Sequence, residues 1–455
     1  MAKVGSKVIT TRYLTSRAEL TPLPPRVDHV NSVLNNLIAE KLMVLEAADT
    51  SSLLSSPNFQ AHIRGIKEQA MREALYNKII EKNVKLDENE IQTAYQTSIR
   101  EYKLSFYNIT DREKTEEIFK AVEDDPEARH QIYEELSQSQ RASHKQVKWN
   151  ETDDPRLFRS LFVNQAEAGD VLMPIRINRN QALIARVEAY SLQPLFSPED
   201  QQIRLVDIRN EYHRFESMVQ WKAYTSKLTQ GKQIQFEPDA FDRVIAMLTP
   251  MYASDTGLIK KEQLDQTAEA VFNDRSAELD AVADNPFFKF DDQVWTIGDF
   301  KQAVASHPLM YGQKEIPQEH FPNLFKEAVA NLVLDQMLNE EAYKKGYDRL
   351  PEVREQSEWW HDAILSQYQL KKTLAARRKT NPSDLPAGLH NAQLLDSLVV
   401  ELSDKYADQV EIYPEYLDSI RLTRIPLMAY KKNVPYPIAV PSFPYFSTVD
   451  TLIFH

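Results

Sequence analysis

The sequence predicts a mainly α-helical protein with a duplicated helical core, the first copy interrupted by a small inserted α+β domain. Three observations predict it. Apolar residues recur at three- and four-residue spacings along most of the chain, the period of an amphipathic helix. Residues 101–190 break that period with short runs such as 102–109 (YKLSFYNI) and 181–187 (QALIARV), which read as strands. Finally, segments of the first part recur later in the same order, the signature of an internal repeat.

The helical elements follow in order. Leu34, Leu37, Ile38, Leu42 and Leu45 form one stripe over 33–48, and Ile63, Ile66, Ala70, Leu75 and Ile79 continue the pattern over 61–82. Asp87 caps a further helix, with Glu90 at the capping-box position. Later helical stretches are 197–227, 321–344, 351–379 and 392–407. The acidic stretch 111–135 reads as a solvated helix pair with i, i+4 partners.

The repeat has three parts. Val8-Ile9-Thr10 with Leu14 matches Val294-Trp295-Thr296 with Phe300, at an offset of 286 residues. Asn36-Leu37-Ile38 with Glu46-Ala47 matches Asn331-Leu332-Val333 with Glu341-Ala342, at an offset of 295. The segment 234–242 matches 410–418 at an offset of only 176, so the first copy carries 119 residues that the second lacks. That surplus is domain-sized and contains the strand-bearing stretch. The expected division is 1–100 as the first part of a helical core, 101–195 as an α+β insert and 196–285 as the helical return. Residues 286–455 form a second helical unit without the insert, with a Pro- and aromatic-rich tail.

Composition excludes several functions. Lys and Arg number 54 against 67 Asp and Glu, a net charge of −13, so no basic surplus exists to displace counterions from nucleic acid. Only nine glycines occur, the closest two being Gly298 and Gly312, so the glycine-rich phosphate loops and the GxSxG nucleophile elbow are absent. Without cysteine there are no disulfides, thiolate nucleophiles or Cys-bound zinc. The ten histidines show no metal-ligand spacing. No apolar run is long enough to span a membrane. No cofactor is expected.

Three motifs carry a resemblance. Val4-Gly5 with Ile9-Thr10, the helix from Leu37 to Ala47 (LIAEKLMVLEA) and the segment from Val84 to Tyr95 (VKLDENEIQTAY) are together similar to the SurA/PpiC group. These are periplasmic chaperones and parvulin-type peptidyl-prolyl isomerases. The resemblance implies a SurA-like helical chaperone core interrupted by a parvulin-like domain. The insert's close resembles that of a parvulin: Leu157-Phe158, Phe162, Ala168-Gly169-Asp170-Val171, Pro174 and 183–187 (LIARV). The family's first-strand histidine falls near Phe106 and its last-strand histidine near Leu183. The pocket-equivalent positions are therefore Phe106, Phe158, Phe162 and Leu183, and neither histidine is present.

The resemblance implies an ATP-independent holdase outside the cytoplasm, binding unfolded or extended polypeptide clients without nucleic acid, with a signal segment removed. Two other readings stand beside it: an active prolyl isomerase, and a structural adaptor of an envelope or secretion complex. His130 and His144 read as surface residues, and His307 and His320 as structural or exposed residues flanking a Pro-rich loop. The stretch 434–446 (VPYPIAVPSFPYF) is too rich in proline for helix; it reads as an extended clamp across a core or, alternatively, as an aromatic surface for a partner.

Overall fold

A computed structural model describes residues 1–455 except 25–26, 28, 49–50, 153, 179–180, 196, 253–257, 261–279, 308, 310–314, 381–389, 418, 424–439, 448 and 454–455. The described chain is mainly helical with small antiparallel sheets. It divides into two compact units, one of Met1–Leu75 with Thr229–His455, the other of Tyr76–Leu228.

The first unit opens with a hairpin of β1 (Ala2–Val4) and β2 (Lys7–Ile9), followed by α1 (Thr11–Glu19), α2 (Val30–Ala48) and α3 (Pro57–Tyr76). Thr10 starts α1 because its hydroxyl accepts the Tyr13 amide at 3.1 Å, satisfying a donor the helix leaves free. The stripe Leu34, Leu37, Ile38 and Leu42 of α2 is fully buried.

The second unit follows with α4 (Glu88–Thr97), β3 (Arg100–Ile109), α5 (Arg112–Asp124), α6 (Ala128–Ser139), β4 (Ser143–Val147), α7 (Pro155–Phe158), β5 (Ile175–Asn178), β6 (Gln181–Leu192) and α8 (Pro198–Leu228). Its four strands form one antiparallel sheet in the order β4-β3-β6-β5. Period-two alternation sends Tyr107, Ile109, Ala182 and Ile184 into one apolar cluster with α5 and α6. Tyr102, Leu104, Ala185 and Val187 enter another with α4, α7 and α8. That second cluster includes Ile91 and Ala94 before the sheet and Ile208, Tyr212 and Phe215 after it. The compact unit is therefore wider than the expected insert 101–195, and α8 belongs with the sheet it covers rather than with a helical return over 196–285.

The chain then re-enters the first unit. It adds β7 (Ile234–Phe236), α9 (Pro238–Tyr252), β8 (Leu258–Lys260), β9 (Pro286–Phe290), β10 (Gln293–Thr296), α10 (Ile297–Ser306), β11 (Glu315–Pro317), α11 (Phe321–Lys344), α12 (Pro351–Thr380), α13 (His390–Lys405) and β12 (Val410–Ile412). Thr296 caps α10 as Thr10 caps α1, accepting the Asp299 amide at 3.1 Å. Leu14 and Phe300, equivalent by the 286-residue offset, are both fully buried.

Two three-stranded sheets in this unit share order and register. In one, Ala2 pairs with Ile9 and with Ile412, and Val4 with Lys7 and Val410. In the other, Phe288 pairs with Trp295 and with Phe236, and Phe290 with Gln293 and Ile234. Every pair maps onto its counterpart at the offsets read from the sequence, 286 for the hairpins and 176 for the third strand. Even the tight turns agree: Gly5 has φ +57°, and Asp291, its equivalent, has φ +51°, a conformation glycine adopts freely and aspartate tolerates. The third strands are crossed, however. The strand following the first helical stretch, β7, closes the second hairpin, and β12 closes the first. Two tandem units that each close on their own chain are not what forms.

The stretch 434–446 lies partly outside the described residues, including Pro435, Tyr436 and Pro437. Its described part, from Val440, buries Phe443 and Phe446 against α1, α2 and α13, while Tyr445 is exposed.

Candidate functional site

The four pocket-equivalent residues converge on one apolar cluster of the second unit. Phe158 and Phe162 are fully buried, and Phe106 and Leu183 pack against the same cluster from the sheet, partly exposed. Asp154 begins α7 by accepting the Arg156 and Leu157 amides at 2.8 and 3.3 Å, and a π-helical turn over Arg159–Val163 follows. Together they bring Phe158 and Phe162 to one side, their ring centroids 5.4 Å apart. Tyr102 of β3 meets Phe162 edge-on at 5.4 Å and donates its hydroxyl to the Leu161 carbonyl at 2.8 Å. The Phe215 ring of α8 lies tilted against Phe158, their centroids 4.9 Å apart. Phe158 and Phe162 are therefore core residues rather than the lining of an open pocket.

Phe106 pairs with Ala185 and Ser143, and Leu183 with Asn108 and Ile175. Strand alternation thus puts Phe106 and Leu183 on one face of the sheet with Tyr102, Leu104, Ala185 and Val187. His144 lies opposite Ser105 on β4, one register step from Phe106 and so on the other face. It is exposed and stands 3.4 Å from Glu188. His130 is partly exposed, beside Glu127. Among the described residues no histidine shares the face of Phe106 and Leu183, so that face offers apolar contact and no acid–base pair. Met173 and Ile177, just before and on the adjoining β5, are 47% and 54% exposed.

The first unit holds two buried polar clusters, which sequence reasoning missed. His307, at the C-terminal end of α10, is buried, where the sequence reading had left a structural or an exposed role open; His320 is exposed. The His307 Nε2–H donates to Glu68 Oε2 at 2.5 Å. Asn339 and Tyr343 of α11 donate to the same carboxylate at 3.2 and 3.1 Å. Burial works against it, but these bonds and the Arg72 charge hold the Glu68 carboxyl below the usual range. Burial and Glu68 together push the Tyr343 phenol up to about 12. A cavity of about 310 Å³ reaches this pair, lined by Arg64, Gln293, Trp295, Gln302 and Gln336 among others. Glu68 and His307 are 239 residues apart, so no spacing could have joined them.

A second buried cluster links α1, α2 and α12. Glu40 accepts from Tyr13 at 2.6 Å, from Arg17 at 3.0 and 3.2 Å and from Lys41 at 3.1 Å. Lys41 also donates to Asp362 at 2.9 Å. Burial opposes ionisation of Glu40 and Asp362, yet both carboxyls sit well below their ordinary range. Arg17 and Lys41 hold Glu40 there, and His361, Lys41 and Lys7 hold Asp362. Each member has a partner within the fold, although the buried Arg17 Nε has none among the described residues, so this cluster locks helices together.

Among the described residues no group of three or more His, Asp or Glu could hold a metal, and no helix is long and apolar enough to cross a membrane. No family model matches the chain, and no curated protein matches it.

Proposed function

We propose that the protein is an ATP-independent holdase acting outside the cytoplasm, SurA-like, with a duplicated helical core and a parvulin-like domain that binds rather than isomerises. The observation that carries this reading is the partly exposed Phe106 and Leu183 on an apolar sheet face of the second unit whose other residues pack under α4, α7 and α8. Phe106 and Leu183 stand there where the resembled family has histidines, beside the exposed Met173 and Ile177. Such a face takes up apolar side chains of an unfolded client through surface burial alone, at about 25 cal/mol per Å². It lacks the polar network that would stabilise a twisted amide. The matching registers of the two three-stranded sheets support the duplicated core, and the absence of cysteine is consistent with an oxidising compartment.

Two assays test the reading. The protein should suppress aggregation of an unfolded β-rich client at or below equimolar ratio, without nucleotide. It should accelerate X-Pro exchange no more than a few-fold over an uncatalysed process of tens to hundreds of seconds. Acceleration above roughly a hundredfold would transfer the proposal to an active isomerase. No suppression, with one tight partner recovered instead, would favour a structural adaptor.

A further inference from the structure

The described residues of 440–453 cross α2 without forming helix or strand, and side chains take several of their backbone hydrogen bonds. Arg17 Nη2 donates to the Ser442 carbonyl at 2.7 Å. Asn36 Oδ1 accepts the amides of Phe446 and Ser447 at 2.6 and 3.0 Å, and Asn36 Nδ2 donates to the Ser447 carbonyl at 2.9 Å. Asn35 Nδ2 donates to the carbonyls of Val449 and Thr451 at 3.2 and 2.7 Å, and its Oδ1 accepts the Ile453 amide at 3.1 Å. All these bonds end on the main chain of the segment. Its side chains contribute two aromatic anchors three residues apart, Phe443 and Phe446, both buried.

Asn35 and Asn36 are themselves fully buried. A buried amide without partners is costly, so this pair of asparagines requires an extended backbone across α2. It does not require a particular sequence, because amide and carbonyl groups are common to every polypeptide. Specificity is left to the two aromatic anchors, to Leu452 and Ile453 packed on the same core, and to Ser447, whose buried hydroxyl donates to Asp396 at 2.7 Å. The arrangement combines main-chain bonding with anchor pockets, as peptide-recognition grooves do.

We propose that this groove over α2 is a binding site for extended polypeptide with aromatic residues at i and i+3, and that segment 440–453 is its resident occupant, displaced by clients. The proposal rests on the holdase reading and assigns that activity a second surface, in the first unit. Net gain per hydrogen bond is small because water competes for the same groups. An incoming chain that reproduces both the bonds and the anchors therefore meets a nearly balanced exchange.

The test uses the full chain with a protease site placed within residues 431–433 and cut after folding. A fluorescein-labelled peptide of sequence VPSFPYFSTVDTLI should enter the nicked protein with micromolar affinity and compete with an unfolded client. Replacing both anchors of the peptide by alanine should weaken it at least about tenfold, as should Asn36→Ala in the protein. Loss of helical circular dichroism on nicking would overturn the proposal by making the segment an integral part of the core. So would a cut segment that stays bound and admits no labelled peptide over hours of excess. Aggregation suppression by the uncut protein is measured in parallel: if it persists while the peptide fails to exchange, the groove assignment falls and the holdase reading stands.

Discussion

Replacing Gly65 by alanine sets two effects of opposite sign against each other. In a helix interior alanine is favoured over glycine by about 0.8–1.0 kcal/mol, so from sequence alone the change in α3 should stabilise. The structure reverses that sign. A Cβ at position 65 would stand 1.8 Å from the Ser306 carbonyl oxygen and 2.8 Å from its carbon. Both are backbone atoms at the end of α10, which cannot rotate away as a side chain would. The two helices must separate, and overpacking of this kind costs about 1–3 kcal/mol. Separation also stretches the bond between His307 and Glu68, 2.5 Å long and one residue beyond Ser306. A buried carboxylate that loses its partner adds about 3–5 kcal/mol if the pair breaks fully. The expected net loss is about 0–2 kcal/mol if the pair survives, and more if it breaks. Urea unfolding followed by circular dichroism measures it as a lower midpoint at unchanged slope. A variant more stable than the parent by the full propensity gain of about 0.8–1.0 kcal/mol would refute the close approach of α3 and α10.

Three further outcomes follow from the same packing. Phe162→Ala empties a fully buried ring site between Tyr102 and Phe158 and should cost about 3–5 kcal/mol, read as selective loss of protection in 76–228 by hydrogen exchange; uniform loss across the chain would contradict it. Glu40, Glu68 and Asp362 all have carboxyls held below their ordinary range in the folded state. Their contribution is complete above the unfolded values near 4 and is lost as pH falls through the folded ones, so denaturant midpoints should hold between pH 5 and 7 and drop below about pH 4. Fragments 1–285 and 286–455 each lack the strand that closes their own hairpin; they should fold together as a one-to-one complex, and independent folding without association would be the contrary result.

What the sequence made legible was local or periodic. Thr10, Asp87 and Thr296 act as helix caps where they stand, because a cap needs only the next three residues. The stripe of α2 was readable because 3.6-residue periodicity marks its buried face. The edges of the α+β region were readable from strand alternation, but not the extent of its core. Ile91, Ile208 and Phe215 join that core from helices whose own patterns do not say which sheet they cover. The buried pairs were not legible either: Glu40 and Lys41 look like an ordinary solvated turn of α2 until Arg17 and Asp362 arrive from other helices.

The crossed strands show the same boundary at the level of topology. Offsets of 286 and 176 residues align β7 with β12 and one hairpin with the other, and the aligned residues hold the same register positions. The closing strands are alike in pattern, Ile234 and Phe236 alternating as Val410 and Ile412 do, but Phe236 packs its ring against Phe287 and Phe288 of the second hairpin. Chain connection acts in the same direction. Strand β7 lies 50 residues before β9, whereas it lies 225 residues after β2. Loop-closure cost rises only as the logarithm of length, so entropy favours the nearer hairpin by about 1 kcal/mol. Once β7 has closed the second hairpin, β12 is the strand left for the first, and the two ends of the chain are brought onto one sheet. The segment 440–453 is thereby carried back across α2, beside the asparagines that hold it.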